Sequence, residues 1–384
     1  MKAFSVSTHA VDPYRAGLEM GEKLKNQNVE VIFLFSSIHY GDKEDLLDGI
    51  YEGLENEEVV IIGNSGDGFY ESSEVGNMGA AALGLNSEGV VSWHITHVED
   101  VEKKPAEKTK ELFSNMQELL GNRKATFMFL ASDFRVDASE IEKIISMEID
   151  VPIIGGLAAD DNQMLNCALF KNQSLLKNSI VLLAAVGPIN FEISVGNSLT
   201  NIGNVGTISE AKGKNIIEID GTSAMDFIER ETGKVVLRSD RGVTSLSIID
   251  SDEPQIKRLR SIVPDFSMAD GSLGLYGGIE TGKKVQVCNA EPDKIIQEVY
   301  AIAEKQKEKG IEPIAALIVS CAGRKWILGD KIEHEVKALT KEFGFSLPLA
   351  GFPSFGEIGP LWQEHGYSRN LFHNMTYVLM LIGK

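Results

Sequence analysis

Cysteine is scarce in this sequence: Cys167, Cys288 and Cys321 are the only three, far apart and odd in number, with no CxxC pair. That excludes a disulfide framework and the paired-cysteine metal and redox motifs, and it fits a reducing compartment. In such a compartment the Asn-x-Ser/Thr sequons at Asn172 and Asn374 have no bearing on glycosylation. Basic charge is also short, with 37 Lys+Arg against 56 Asp+Glu and a formal charge of −19. Nucleic acid and anionic membrane surfaces both need a basic footprint, so neither is expected as a partner. Long apolar runs are missing too. Stretches such as Ser179 to Val186 fall far below the roughly 20 residues of a membrane helix, and no membrane insertion is expected. The stretch from Met1 to Thr8 carries one positive charge and no apolar segment running to a small-residue cleavage site, so it reads as a first strand and not as a signal peptide. These absences together point to a cytoplasmic protein. No metal is expected either: His94 and His97, three apart on an expected strand, fall on opposite faces.

What is present is a repeated unit. Asp12-Pro13 supplies an N-cap and a first-turn proline for a helix from Tyr14 to Lys25. Val31 to Ser37 is almost wholly apolar, as a strand covered on both faces requires. A helix from Lys43 to Leu54 follows, then the apolar run Val59 to Ile62 stops at Gly63-Asn64-Ser65-Gly66-Asp67-Gly68. The same order returns at Thr126 to Ser132, a helix from Ala138 to Met147, and Val151 to Ile154 ending at Gly155-Gly156. It returns again at Ala316 to Cys321, a helix from Asp330 to Phe343, and Leu347 to Ala350 ending at Gly351. From the polar strand ends Ser37, Ser132 and Cys321 to the loop glycines Gly63, Gly155 and Gly351 the separations are 26, 23 and 30 residues, suitable for βαβ crossovers. An asparagine opens a further apolar strand in each copy, at Asn77, Asn178 and Asn374.

The expected fold is therefore α/β: repeated βαβ-loop-β modules forming mostly buried sheets, in a two-part N and C architecture. Residues 1–26 form a strand and helix packed on an N domain of 27–221, followed by a C domain of 222–384. The segments Val243 to Ile249 and Lys284 to Cys288 read as hairpin strands around the glycine-rich stretch Asp270 to Gly278. Ligand groups are expected where strands end and helices begin.

The last of these loops, Gly351 to Pro360, carries a single ionisable side chain, Glu357, between Phe355-Gly356 and Ile358. Such a carboxylate either meets a cation or ammonium group or caps backbone amides of its own loop. Arg324 follows a strand end and Gly323, and its fork suits a ligand carboxylate. With Glu357 it would hold a zwitterion such as an amino acid; the competing arrangement pairs the two with each other. His373-Asn374, at the start of the last strand, offers side-chain hydrogen bonds to a ligand or to a turn. Two residues support an enzyme alternative. Ser65 lies in a stretch like a nucleophile elbow, although Asp67 replaces the final glycine, and Cys321 at a strand end would be a nucleophile if Arg324 lowered its thiol pKa. No particular histidine and acid stand out as base and orienting partner.

Taken in order, Asp220-Gly221-Thr222-Ser223-Ala224, Ser320-Cys321-Ala322-Gly323-Arg324, Gly351-Phe352 with Gly356-Glu357-Ile358-Gly359-Pro360, and Phe372-His373-Asn374-Met375-Thr376 resemble the C-terminal half of the FIST sensory family. Gly63-Asn64-Ser65 and Gly155-Gly156-Leu157-Ala158 resemble its N-terminal half, so the resemblance spans about Gln27 to Lys384. It implies paired FIST N and FIST C modules acting as a small-ligand sensor in prokaryotic signal transduction, with an amino acid as a ligand class. With no kinase, cyclase or methyl-accepting segment in the sequence, the expected partner is a separate signalling protein such as a histidine kinase. Some family members are haem-carrying nitric-oxide sensors, for which His365, His373 and Cys321 are the candidate axial ligands here. The residues expected around a ligand are Ser65, Gly155, Gly156, Cys321, Arg324, Gly351, Phe352, Glu357, His373 and Asn374.

Overall fold

Strands that are apolar on every residue need cover on both faces, and a computed structural model of the chain shows how it is provided. The structure describes residues 1–40, 44–237, 240, 244–249, 256–263, 270–363 and 366–384. The first module runs β1 (Lys2–Thr8), α1 (Pro13–Leu24), β2 (Val31–Ser37), α2 (Asp45–Leu54), β3 (Val60–Gly66), the hairpin β4 (Phe69–Glu71) and β5 (Glu74–Gly76), and β6 (Ala80–Asn86). The second repeats it: β7 (Ser92–Glu99), α3 (Pro105–Leu120), β8 (Phe127–Ser132), α4 (Ala138–Glu148), β9 (Ile153–Leu157), the hairpin β10 (Leu169–Lys171) and β11 (Ser174–Leu176), and β12 (Ser179–Val186).

The third module opens with β13 (Phe191–Gly196) and is then interrupted. The insertion holds β14 (Thr200–Lys212), β15 (Asn215–Ile219), β16 (Thr222–Ser223), α5 (Ala224–Thr232), β17 (Thr244–Ile249), β18 (Arg258–Ser261), β19 (Leu273–Gly274) and β20 (Lys284–Asn289). The module then resumes with α6 (Pro292–Glu308), β21 (Pro313–Cys321), α7 (Ala322–Leu328), α8 (His334–Phe343) and β22 (Leu349–Ser354). It ends with the hairpin β23 (Glu357–Gln363) and β24 (Gly366–His373), and β25 (Tyr377–Gly383). The α/β architecture of repeated modules and mostly buried sheets is thus the one expected from the sequence. Among the described residues no helix is long and apolar enough to cross a membrane.

Each module contributes a parallel pair, β2/β3, β8/β9 or β21/β22, flanked by its own antiparallel strand β6, β12 or β25. The hairpins do not stay at home. β4–β5 extends the third sheet beside β22, β23–β24 extends the second beside β9, and β10–β11 extends the first beside β3. This cyclic exchange closes three six-stranded sheets into one body and covers the open edge of each β3-type strand. Strand alternation then decides the layers. Phe33 and Phe35, Phe129 and Ala131, and Leu317 and Val319 point into a shared core, where Phe35 stacks on Phe352 at 5.0 Å and meets Phe129 at 6.0 Å. The opposite residues Ile32 and Leu34 lie in a separate core with residues of α1 and α2, and Ala316 and Ile318 in another with residues of α6 and α8.

Register corrects two of the expected equivalences. Ser37 and Cys321 sit opposite Gly66 and Ser354, three residues past their glycines, whereas Ser132 sits opposite Leu157, two past Gly155. The counterpart of Cys321 in the second module is therefore Asp133. Likewise Asn77 and Asn374 lie three residues before Ala80 and Tyr377, but Asn178 lies two before Ile180 and matches Met375. Both Asn178 (φ 48°) and Met375 (φ 58°) are left-handed, so at this step backbone geometry repeats where residue type does not.

The insertion is a sheet in the order β16-β15-β14-β20-β17-β18, with its own core of Ile208, Ile219, Phe227, Leu246 and Val287 beneath α5. β17 and β20 pair antiparallel as expected, from Thr244 onward; Val243 lies outside the described residues, as does Lys43 at the expected start of α2. Gly221 forms the turn between β15 and β16, inside this sheet.

Candidate functional site

The ends of β21, β22 and β24 and the start of β25 converge under the insertion, which lays Ser261, Ile262 and Tyr276 over Cys321, Ser354 and Asn374. The cavity between them is about 20 Å³, room for about one water molecule. Asn374 is 1% exposed. Its Oδ1 accepts the Ser261 N–H at 3.2 Å, and its Nδ2 has no hydrogen-bond partner. A buried amide donor without an acceptor is costly and calls for an explanation. Next to it, Met375 holds a left-handed backbone, the kind of local strain that concentrates at functional sites.

Behind this cavity Glu357 is fully buried and knots two turns together. Ser354 Oγ donates to its Oε1 at 2.5 Å, and Thr376 donates to its Oε2 from N at 3.1 Å and from Oγ1 at 2.8 Å. Burial outweighs these bonds and pushes the carboxyl up from its ordinary 4.5 to about 7. The native state thus holds this proton more tightly than the unfolded chain, so Glu357 stabilises less as pH rises from 4.5 to about 7. Asp67, buried at the end of β3, is raised to about 7 for the same reason and adds a parallel trend. Replacing Glu357 by Gln is expected to remove its share. Urea midpoints measured at about pH 5 and about pH 8 should show the wild type losing ground to the variant at the higher pH. A wild-type-to-variant difference that does not change with pH would refute the shift.

The other expected site residues fall in three places. Cys321 lines the cavity, and burial, with the Glu357 charge behind it, drives its thiol well above the ordinary value. It is held protonated, the opposite of an activated nucleophile. Ser65 is buried between modules, donating its hydroxyl to Ala159 O at 2.8 Å and accepting from Ala168 N at 3.1 Å. Arg324 lies wholly buried on α7, with Nε on Glu335 Oε1 at 2.7 Å and Nη1 3.6 Å from Glu298. The alternative pairing of Arg324 with Glu357 is not formed: the guanidinium meets Glu335 on α8, while Glu357 is held by Ser354 and Thr376.

His373 is buried in β24, donating Nε2–H to Gly359 O at 2.9 Å; burial lowers it to about 4, so it is neutral. Phe352 belongs to the shared core. Gly155 and Gly351, with Gly63, lie where a Cβ would come within 1.9, 2.1 and 1.7 Å of the carbonyls of Leu130, Ile318 and Leu34. A Cβ on Gly156 would meet Gly356 O at 2.5 Å. What approaches these glycines is neighbouring backbone.

Haem does not fit this arrangement. Of its candidate axial ligands, His373 is fully buried with Nε2 committed to Gly359 O, and burial holds the Cys321 thiol protonated. His365 lies outside the described residues. Among the described residues no cluster of three or more His, Cys, Asp or Glu could hold a metal. Sequence reasoning missed Ser354 and Thr376, although both flank residues it singled out, and it missed Ser261 and Tyr276 entirely. Nothing local in the sequence says that the insertion folds over the third module.

An uncharacterised protein of Methanocaldococcus jannaschii, MJ1623, is 25% identical over 222 residues, covering 56% of this chain and 43% of that one. The chain thus spans less than half the length of that relative. Two structures of Thermotoga maritima PurL, complexed with ATP and with FGAR, align over 100% and 99% of this chain and 71% and 72% of theirs. Their identities are 11% and 10% and their TM-scores 0.21 and 0.23, too low for any fold or activity to be carried over. Two family models match the chain, the FIST N domain at residues 30–222 and the FIST C domain at residues 246–360. Their division falls inside the insertion, after the β15–β16 turn. The chain belongs to the FIST family, whose domains are sensor domains of signal transduction.

Proposed function

We propose that this protein is a sensor for a small polar ligand of the amino-acid class, bound at the strand ends of the third module beneath the insertion. The observation that carries the reading is the unpartnered Nδ2 of Asn374, a buried donor on a residue that lines a cavity whose roof is the insertion. A ligand carboxylate accepts from it. The cavity is too small for an amino acid as it stands, so the ligand enters by lifting the roof, and occupancy is coupled to the insertion's position. That coupling is what a sensor needs in order to signal to a separate protein, such as a histidine kinase. Free cysteines and an acidic composition support a cytoplasmic setting. Binding is favoured over catalysis by the protonated state of the Cys321 thiol and by the engagement of the Ser65 hydroxyl with two backbone groups.

A thermal-shift screen of the amino acids is expected to give at least one saturable rise in Tm. Asn374→Asp keeps an acceptor for Ser261 N–H and replaces the free donor, so it should abolish that rise while leaving a cooperative unfolding transition. A rise that persists unchanged in the variant would move the ligand elsewhere, and no rise with any amino acid would remove the ligand class.

A further inference from the structure

The strand-end cavity has a second character besides its unpartnered donor: much of its wall is aromatic or aliphatic. Tyr276 comes from the insertion, Trp326 from α7 and Phe355 from the turn between β22 and β23, with Ile262 and Met375 beside them. The ring centres of Tyr276 and Phe355 lie 6.4 Å apart, and Phe134 meets Phe355 edge-on at 5.4 Å and holds its plane. Trp326 packs partly buried against the shared core. Aromatic rings thus stand on the roof and on the floor.

Polar side chains of the wall are turned to the protein. Ser261 Oγ pairs with Ser245 Oγ at 3.2 Å, Ser354 Oγ donates to Glu357, and Asn374 Oδ1 accepts from Ser261 N–H. Of the described residues that line the cavity, none is charged. Glu357 behind it is fully buried, with its two oxygens engaged by Ser354 and Thr376. A primary ammonium carries N–H donors that no carboxylate on this wall can take, and leaving them unmet is costly. A quaternary ammonium has no N–H to satisfy. The negative faces of aromatic rings are its usual recognition surface.

We infer that the ligand of this cavity is an N-methylated amino acid of the betaine type, its carboxylate on Asn374 Nδ2 and its methylated ammonium against the rings of Tyr276, Trp326 and Phe355. The inference rests on the amino-acid reading of the same cavity and narrows it. It also gives the coupling a physical basis. An ammonium gripped by Tyr276 on the roof and by Trp326 and Phe355 on the floor ties the insertion to the third module, so occupancy sets the position of the roof.

The test titrates the full chain with glycine, sarcosine, dimethylglycine and glycine betaine, following Tm and, by calorimetry, Kd. Beside them stands tert-butylacetate, in which a neutral carbon replaces the betaine nitrogen. Kd is expected to fall with each added methyl, reaching about tenfold below glycine for betaine, and tert-butylacetate should bind about tenfold more weakly than betaine. Tyr276→Leu and Trp326→Leu keep apolar bulk and remove a ring face, so each should bring betaine and tert-butylacetate towards the same Kd. Equal Kd values along the methyl series, tert-butylacetate binding as tightly as betaine, or a betaine preference unchanged in both variants would overturn the inference and leave the amino-acid reading standing. A Tm rise with other amino acids and none with betaine would do the same. No rise with any amino acid or any of these compounds would remove both.

Discussion

Truncating Arg324 to Ala is expected to destabilise the protein by about 3–5 kcal/mol, the usual cost of removing one partner of a buried ion pair. Arg324 and Glu335 are both fully buried. The pair also anchors two aromatic side chains: Tyr70 donates to Glu335 Oε2 at 2.7 Å, and Tyr377 donates to Glu335 O at 3.0 Å with its ring 5.7 Å from the guanidinium. Tyr70 comes from the first module's exchanged hairpin, so the charge pair sits where that hairpin is attached to the third sheet. Without Arg324 the Glu335 carboxylate stays in a low-dielectric interior with no other ion-pair partner among the described residues. Replacing both partners, Arg324→Met with Glu335→Leu, should cost much less than the sum of the single changes, which a double-mutant cycle by urea denaturation measures. A single-variant loss below about 1 kcal/mol, the range of solvent-exposed pairs, would show that the pair is not formed in solution. A ligand clamp would behave differently, losing the ligand and keeping the stability.

The strand glycines give the second large effect. Ala at Gly63 or Gly351 puts a Cβ 1.7 or 2.1 Å from the carbonyl of the parallel neighbour. The obstruction is backbone, which cannot swing aside as a side-chain tip can. The parallel pair must part at the point where the next module's hairpin also attaches, since Gly63 pairs with Phe170 and Gly351 with Tyr70. Each change is expected to cost at least the upper end of the about 1–3 kcal/mol of core overpacking, and Gly63→Val should prevent folding. Urea midpoints and the soluble yield measure it. Were these glycines present to let a ligand approach, Gly351→Ala would weaken ligand binding and leave the midpoint in place.

The modules were legible because their determinants are local. A run such as Val31 to Phe35 is apolar on both faces whatever lies beside it, and Asp12-Pro13 begins a helix by capping geometry alone, with Asp12 accepting from Arg15 N. Where chemistry substituted for position, the reading slipped by a residue: Ser132 was matched to Cys321 by polarity, while the ladder of hydrogen bonds gives that place to Asp133. The candidate site was legible as a stretch and not as a constellation. Glu357, Cys321 and Asn374 do gather within one region, but of the two residues that hold the Glu357 carboxylate, Ser354 comes from its own loop and Thr376 from a turn 19 residues further along the chain.

By itself the sequence determined three βαβ units and their glycine-ended strands, since periodicity, capping and backbone sterics act over a few residues; the family came from the resemblance of its motifs, which the family models bear out. Only the tertiary structure decided that the hairpins exchange cyclically, that Arg324 meets Glu335 and leaves Glu357 to hydroxyls, and that the insertion roofs the third module. Those outcomes depend on which distant segments become neighbours. A charge finds its partner among whatever the sheets bring within a few ångströms, and local spacing carries no record of that.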